Sequence, residues 1–198
     1  MNRRRPSNQW LRPRSRRFAF AAGCVAVCLA GPVLLPAKAE APMTDTQVKA
    51  LCLLNFAKYV EWPTNAFPYT NSPILIVLQG DGPFTTALQS SIKDRTIDGR
   101  RITIQVLHSG DAIPVCHILF VSSAESSREP GILKQLNGRP VLTVGEAPSF
   151  AGAGGMINFV VRNGKVRFDI NMDSARKAGL RISSNLLQLA DTVSDKPQ

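Results

Sequence analysis

The sequence predicts an α/β fold: a mixed, largely parallel sheet covered by helices on both faces, with a β-hairpin near the C-terminus. Three observations carry this reading. Residues 74–78 and 117–121 are buried-type apolar runs, and 141–144 is a third, shorter one. Uninterrupted apolar strands belong to sheets covered on both sides. Helical patterns separate these runs, so successive strands require crossovers and lie parallel. Finally, Asn163-Gly164 stands between residues 156–161 and 165–170, a strong signal for a hairpin with a mirror-image turn.

Each element has a local reason. Thr44 or Asp45 caps a first helix, in which Val48, Leu51, Cys52, Asn55, Phe56 and Tyr59 recur at helical spacing. Pro63 ends that helix near Glu61-Trp62. Residues 67–72 form a Pro-bearing loop before strand 74–78. Gly80-Asp81-Gly82-Pro83 then turns the chain into a helix over 84–92. Asp98-Gly99 marks a turn before 101–107, where Ile102, Ile104 and Val106 alternate with polar residues. A helix over 126–136 follows strand 117–121, and Asn137-Gly138 closes it. After the hairpin, Asp173 is the expected N-cap of a short helix that Gly179 stops. Residues 184–190 form the last helix, and 40–44 and 192–198 read as loose ends.

The N-terminus addresses the protein. Seven arginines precede an apolar run over 18–35, and Ala37-Lys38-Ala39 follows it. A basic region, an apolar region and a small-x-small site predict a secretory signal peptide cleaved after Ala39. Residues 40–198 then form a single exported domain. An uncleaved anchor is the rival reading, although Gly23, Gly31 and Pro32 interrupt the run. The cut also resolves the charge. The chain has 24 Lys+Arg, 14 Asp+Glu and a net charge of +10. Removing the eight leader cations leaves 16 basic against 14 acidic residues. The positive charge therefore serves export, and nucleic-acid binding is excluded on this ground.

Chemistry-bearing residues are few. Only Cys52 and Cys116 survive cleavage. An oxidising compartment permits one disulfide between them, and two buried apolar thiols are the alternative. The histidines are His108 and His117. Cys116 and His117 are adjacent on a strand and point to opposite faces, so they do not form a metal site or a nucleophile–base pair. Glu125 and Glu129 fall on a helix start taken to be exposed. No nucleophile elbow, zinc-protease motif or P-loop is present. No catalysis and no cofactor or metal are expected. Gly80, Asp81 and Gly82 form either a strand-to-helix turn whose amides hold an anion or a plain turn. Gly154 and Gly155 offer close backbone approach to a ligand, or a simple loop. The first helix carries large apolar residues on more than one face. Phe56, Tyr59 and Trp62 are thus either core or a partner-binding surface.

Several stretches, in order, resemble one family. Asn55-Phe56-Ala57-Lys58-Tyr59-Val60-Glu61-Trp62-Pro63 resembles the first-helix motif of the YfiR-like periplasmic proteins. Cys116-His117-Ile118-Leu119-Phe120 resembles their central strand, and Gly138-Arg139-Pro140-Val141-Leu142-Thr143-Val144 their next strand. Gly154-Gly155-Met156-Ile157-Asn158-Phe159 and Val166-Arg167-Phe168-Asp169-Ile170-Asn171 are similar to the hairpin. The stretch from Ala178-Gly179-Leu180-Arg181 to Leu187 is similar to the C-terminal segment.

The resemblance implies a Rossmann-like α/β sandwich in the periplasm, acting as a homodimer. It implies a regulator that holds down an inner-membrane diguanylate cyclase through that enzyme's periplasmic domain, with cyclic di-GMP and hence biofilm as output. In some systems an outer-membrane lipoprotein relays the signal, and other relatives are encoded with a different membrane sensor, such as a sensor kinase. One departure stands out. Disulfide-using members place cysteines on the strand at 74–78 and before the hairpin, where this chain has Val77 and a thiol-free 152–158. A disulfide switch would then fall to Cys52 and Cys116. The alternative function is a periplasmic small-molecule binding domain feeding a membrane sensor, using the loops at Gly80 to Phe84 and Gly145 to Gly155.

Overall fold

The structure, a computed structural model, describes residues 42–195. The expected signal peptide, its cleavage site and residues 196–198 lie outside the described residues. The chain enters α1 (Asp45–Tyr59) through a capping box: the Thr44 hydroxyl accepts the Gln47 amide while Gln47 Oε1 accepts the Thr44 amide. Then follow β1 (Val60–Glu61), β2 (Ile74–Gln79), α2 (Pro83–Ile92), β3 (Thr96–Ile97), β4 (Arg100–Leu107) and β5 (Ile118–Val121). A 3₁₀ segment, Ser123–Arg128, leads into α3 (Glu129–Leu136) and β6 (Leu142–Gly145). The hairpin β7 (Ile157–Arg162) and β8 (Lys165–Asn171) is followed by α4 (Met172–Lys177), β9 (Arg181–Ile182), α5 (Ser184–Leu189) and β10 (Thr192–Ser194).

Eight strands form one sheet in the order β10-β8-β7-β6-β5-β2-β4-β3, and β1 pairs with β9 apart from it. All neighbours are parallel except the two hairpins, β7–β8 and β3–β4. The predicted mixed α/β sheet is therefore present and consistent with a Rossmann-like arrangement. The order turns at β2: the chain crosses to β4 on one side, then returns to β5 and β6 on the other. The crevice between the carboxyl ends of β2 and β5 is the topological switch point, where open α/β sheets most often hold ligands.

Alternation along β2 builds two cores. Ile74, Ile76 and Leu78 join Ile118, Phe120, Leu142, Val144 and Ile157 beneath residues of α1, α2 and α5. Val77 joins Leu119, Val121, Ile132, Leu133 and Phe150 on the α3 face. Helices cover both faces because both faces of the central strands are apolar.

The structure adjusts several local readings. α1 buries Ala50, Leu53, Leu54, Phe56 and Ala57, while Leu51 and Cys52 are half-buried and Asn55 is exposed. The inward face is thus rotated from the expected one, because apolar residues on nearly every side of the helix leave periodicity no single stripe to follow. Asn171, not Asp173, caps α4, accepting the Ser174 amide at 3.1 Å. Thr192–Ser194 is not a loose end but a strand parallel to β8. Glu129 is not exposed: it is 1% accessible, beneath the loop that carries Ser149. The Asn163-Gly164 turn takes positive φ at both residues, 52° and 68°, as a mirror-image hairpin turn requires. Among the described residues, no helix is long and apolar enough to cross a membrane.

Candidate functional site

The amino ends of the central strands carry a cleft of about 820 Å³. Trp62, Phe67, Tyr69, Ile74 and Arg100 line it, with Lys58, Glu61 and Asp98 at its charged rim. Each aromatic group is held by a specific contact. α1 ends at Tyr59, earlier than the expected Glu61-Trp62, because Val60 and Glu61 pair with β9 as β1; Pro63 then caps a 3₁₀ segment, Thr64–Ala66, which leads to Phe67 and Tyr69. Trp62 is half-buried, and its Nε1 donates to the His117 carbonyl at 3.2 Å. That carbonyl also accepts the Leu142 amide at 2.8 Å, so the indole is tied to the start of β5 and β6.

Behind the cleft, three groups stack. The Phe67 ring lies 4.3 Å from the His117 imidazole and 3.8 Å from the Arg100 guanidinium carbon. Arg100 Nη1 also donates to the carbonyls of Ser72 at 2.8 Å and Tyr69 at 3.3 Å. This fastens the loop to β4 and places a cation on an aromatic face. His117 Nδ1 accepts the Leu75 amide at 3.1 Å, so Nε2 carries the proton and donates to the Ala66 carbonyl at 3.2 Å. Burial chiefly lowers the His117 pKa, the Ala66 bond opposes this, and the Arg100 charge lowers it further. The ring is a neutral structural strut. Tyr69, 75% exposed, is the one aromatic of the cleft left open to solvent.

The switch-point crevice is different. It holds about 210 Å³ among Gly80, Asp81, Gly82, Phe84, Phe120, Ser122 and Glu146, less than small-molecule sites usually occupy. Phe84 stacks on Phe120 at 4.1 Å and fills its floor. The Gly82 amide is taken by Asp81 Oδ1 at 2.8 Å, and Glu146 is held by Lys49 at 2.6 Å and by the Ser123 amide at 3.2 Å. Carboxylates, not open amides, face this crevice, so its electrostatics oppose an anion.

Gly154 and Gly155 lie elsewhere. Gly154 borders a separate cleft of about 260 Å³ with Lys134, Asn137, Ser174 and Lys177. Gly155 and Gly145 clamp the buried Phe150 ring, and a Cβ on either would overlap it. Gly155 thus has a packing reason to lack a side chain. The 80–84 and 145–155 loops meet at the crevice through Glu146, while Gly154 faces the other cleft.

The remaining sequence candidates separate too. Phe56 is 1% exposed, stacks on Phe159 at 5.5 Å and meets Phe168 edge-on at 4.8 Å, inside the core. Tyr59 is half-buried with Lys58 Nζ 5.6 Å from its ring. Only Trp62 of the three lines the aromatic cleft. Cys52 packs on the α1 face of the sheet and Cys116 on the α3 face, both as free thiols. The structure does not bring them together. Burial raises both pKa values, that of Cys116 to about 11 with the Arg139 charge pulling weakly the other way. Sequence reasoning missed Phe67, Tyr69, Arg100 and the strut role of His117. The Phe67-Pro68-Tyr69 spacing was the available signal: aromatics in a polar loop rarely lack a packing or binding reason.

Among the described residues, no three His, Cys, Asp or Glu side chains converge to hold a metal ion. Glu129 Oε2 accepts the Ser149 hydroxyl at 3.1 Å, its Oε1 has no hydrogen-bond partner among the described residues, and burial raises its pKa. The YfiR/HmsC-like family model matches residues 46–191, from the second residue of α1 to the residue before β10. This chain belongs to the YfiR/HmsC-like family, a family of periplasmic regulators of cyclic di-GMP signalling.

Proposed function

We propose that this protein restrains an inner-membrane diguanylate cyclase by binding the cyclase's periplasmic domain at the Trp62 cleft. The leader, cleaved after Ala39, delivers residues 40–198 to the periplasm, and an outer-membrane lipoprotein that competes for the protein would lift the restraint. The observation that carries the docking site is the solvent-open Tyr69 beside a fixed Trp62, Phe67 and Arg100. Trp, Tyr and Arg are the residues on which protein–protein affinity most often concentrates. Rigid aromatics also lose little conformational freedom on binding.

The test is an affinity capture of the processed protein from detergent-solubilised envelope, in parallel with Tyr69→Glu. A diguanylate cyclase co-eluting with the wild type and lost with the variant supports the reading, and cellular cyclic di-GMP should then rise in the variant. A sensor kinase in its place would move the proposal to that partner class. An eluate free of membrane proteins counts against a docking role for the cleft.

A second reading keeps the cleft and changes the occupant. At about 820 Å³ it is within the range of small-molecule sites. A metabolite bound there would make the protein a ligand sensor for a membrane partner. A thermal shift lost on Tyr69→Glu, without cyclase capture, would favour that reading.

A further inference from the structure

We propose that the cleft between α3 and α4 binds a small organic acid, holding its carboxylate or phosphate group between Lys134 and Lys177. This is the cleft of about 260 Å³ that Gly154 borders, and it shares no lining residue with the Trp62 cleft. Its walls come from the end of α3, from Thr143 of β6, from the loop before β7 and from α4. The two lysines are its only charged lining residues among the described residues, and no carboxylate lines it. The switch-point crevice has the opposite character, with Asp81 and Glu146 on its walls. A cleft lined by one sign of charge concentrates ions of the other sign.

Both cations are available. Lys134 has no ion-pair partner among the described residues. Lys177 Nζ lies 3.3 Å from Asp173, but this is an exposed pair one helical turn apart, of the kind that contributes little. Arg176 also reaches Asp173, at 3.5 Å. Lys177 can therefore turn to a bound anion without stranding that carboxylate. Two of the last α3 carbonyls, of Lys134 and Leu136, are taken by the Asn137 and Arg139 amides, which blunts the negative end of the helix beside the cleft.

The floor adds a directed donor. Thr143 is 2% exposed, and its Oγ1 accepts the Met156 amide at 3.1 Å. Its hydroxyl hydrogen has no acceptor among the described residues. A buried hydroxyl with an unspent proton on a cationic cleft wall is matched by an oxyanion. Ser174 gives its backbone amide to Asn171, which leaves its hydroxyl for the cleft. Gly154 contributes room: at φ 98° it has nothing within 4 Å of where a Cβ would stand. Buried Leu133, Leu136 and Met156 form a bed for a short carbon body. The volume lies below that of drug-sized sites, so the occupant is a small acid rather than a nucleotide or a peptide. The site is independent of the partner proposed for the Trp62 cleft.

The experiment titrates the processed, isotope-labelled protein with glycerol 3-phosphate and, separately, with succinate at about 0.15 M salt, following its amide NMR signals. Saturable shifts at the Thr143, Gly154 and Ser174 amides, with a Kd of about 1 mM or tighter, are expected. Saturation by either probe supports the site, and the probe that binds names the head group. The indole signal of Trp62, the one tryptophan of residues 40–198, should stay in place and so separates this site from the other cleft. Lys134→Gln/Lys177→Gln changes two exposed residues and should weaken binding about tenfold or more. Lys93→Gln removes an exposed charge outside the cleft and should leave it unchanged. Circular dichroism checks that each variant keeps the fold. Failure of both probes to saturate, equal binding by the double variant, an equal loss with Lys93→Gln, or shifts centred on Trp62 would each overturn the proposal.

Discussion

The His117 imidazole and the Leu75 amide are joined at 3.1 Å, with Nδ1 as the acceptor. One bond thereby fixes the tautomer of a buried ring, the start of β2 and the back wall of the aromatic cleft. A proton added at Nδ1 would remove the acceptor and place a charge near Arg100, whose field already disfavours it.

A pH dependence follows. Burial holds the folded-state pKa of His117 below the ordinary histidine value of ~6.5. The unfolded chain therefore binds the proton first as pH falls. The stability His117 contributes is complete above about pH 6.5 and is lost as pH drops through the depressed folded value. Thermal melts of wild type and His117→Gln from neutral to acidic pH should show a shallower acid slope in the variant. At neutral pH the substitution should cost about 1–3 kcal/mol, because it strands a buried amide. Parallel slopes for the two proteins would remove His117 from the account.

The thiols should be quiet. With its pKa pushed to about 11, Cys116 exists as thiolate at only about one part in a thousand at pH 8. An alkylating reagent should label half-buried Cys52 slowly and Cys116 only after denaturation. Intact mass of the native protein should show two free thiols. A mass two hydrogens lighter that reverts on reduction would show a Cys52–Cys116 bridge and a different packing.

Phe56 and Tyr69 should separate folding from binding. Phe56→Ala removes a ring packed on Phe159 and Phe168 and should destabilise the domain by about 3–5 kcal/mol. Tyr69→Glu alters an exposed side chain and should leave the melting temperature nearly unchanged while weakening partner capture. Equal effects of both on stability would make Tyr69 a packing residue.

The Phe150 clamp should tolerate no added methyl group. Gly145→Ala or Gly155→Ala drives a Cβ into the Phe150 ring from one side. Each should cost about 1–3 kcal/mol by denaturant titration. Phe150→Leu should recover part of that loss when combined with Gly155→Ala, as coupled neighbours do. Additive effects would show that the glycines act independently of the ring.

Local chemistry was legible where it was self-contained. Asn163-Gly164 carries its own turn preference, and the apolar run at β2 needs no distant partner to declare a buried strand. Thr44 and Gln47 cap α1 within four residues of one another. The family motifs, spread in order along the chain, extended this reading to most of the sheet and to a periplasmic regulatory class.

What the sequence by itself determined was thus the α/β class, the hairpin and the family. Tertiary structure alone decided which residues meet. The two- and three-residue strands β1, β9 and β10 have no periodicity of their own and exist because distant segments pair with them. The face of α1 was chosen by the sheet it packs on, which moved Phe56 from candidate surface to core. The cleft joins Trp62 and Phe67, Arg100 and the His117 carbonyl from three separated stretches. Such convergence depends on strand order and register, long-range quantities that local propensity does not encode.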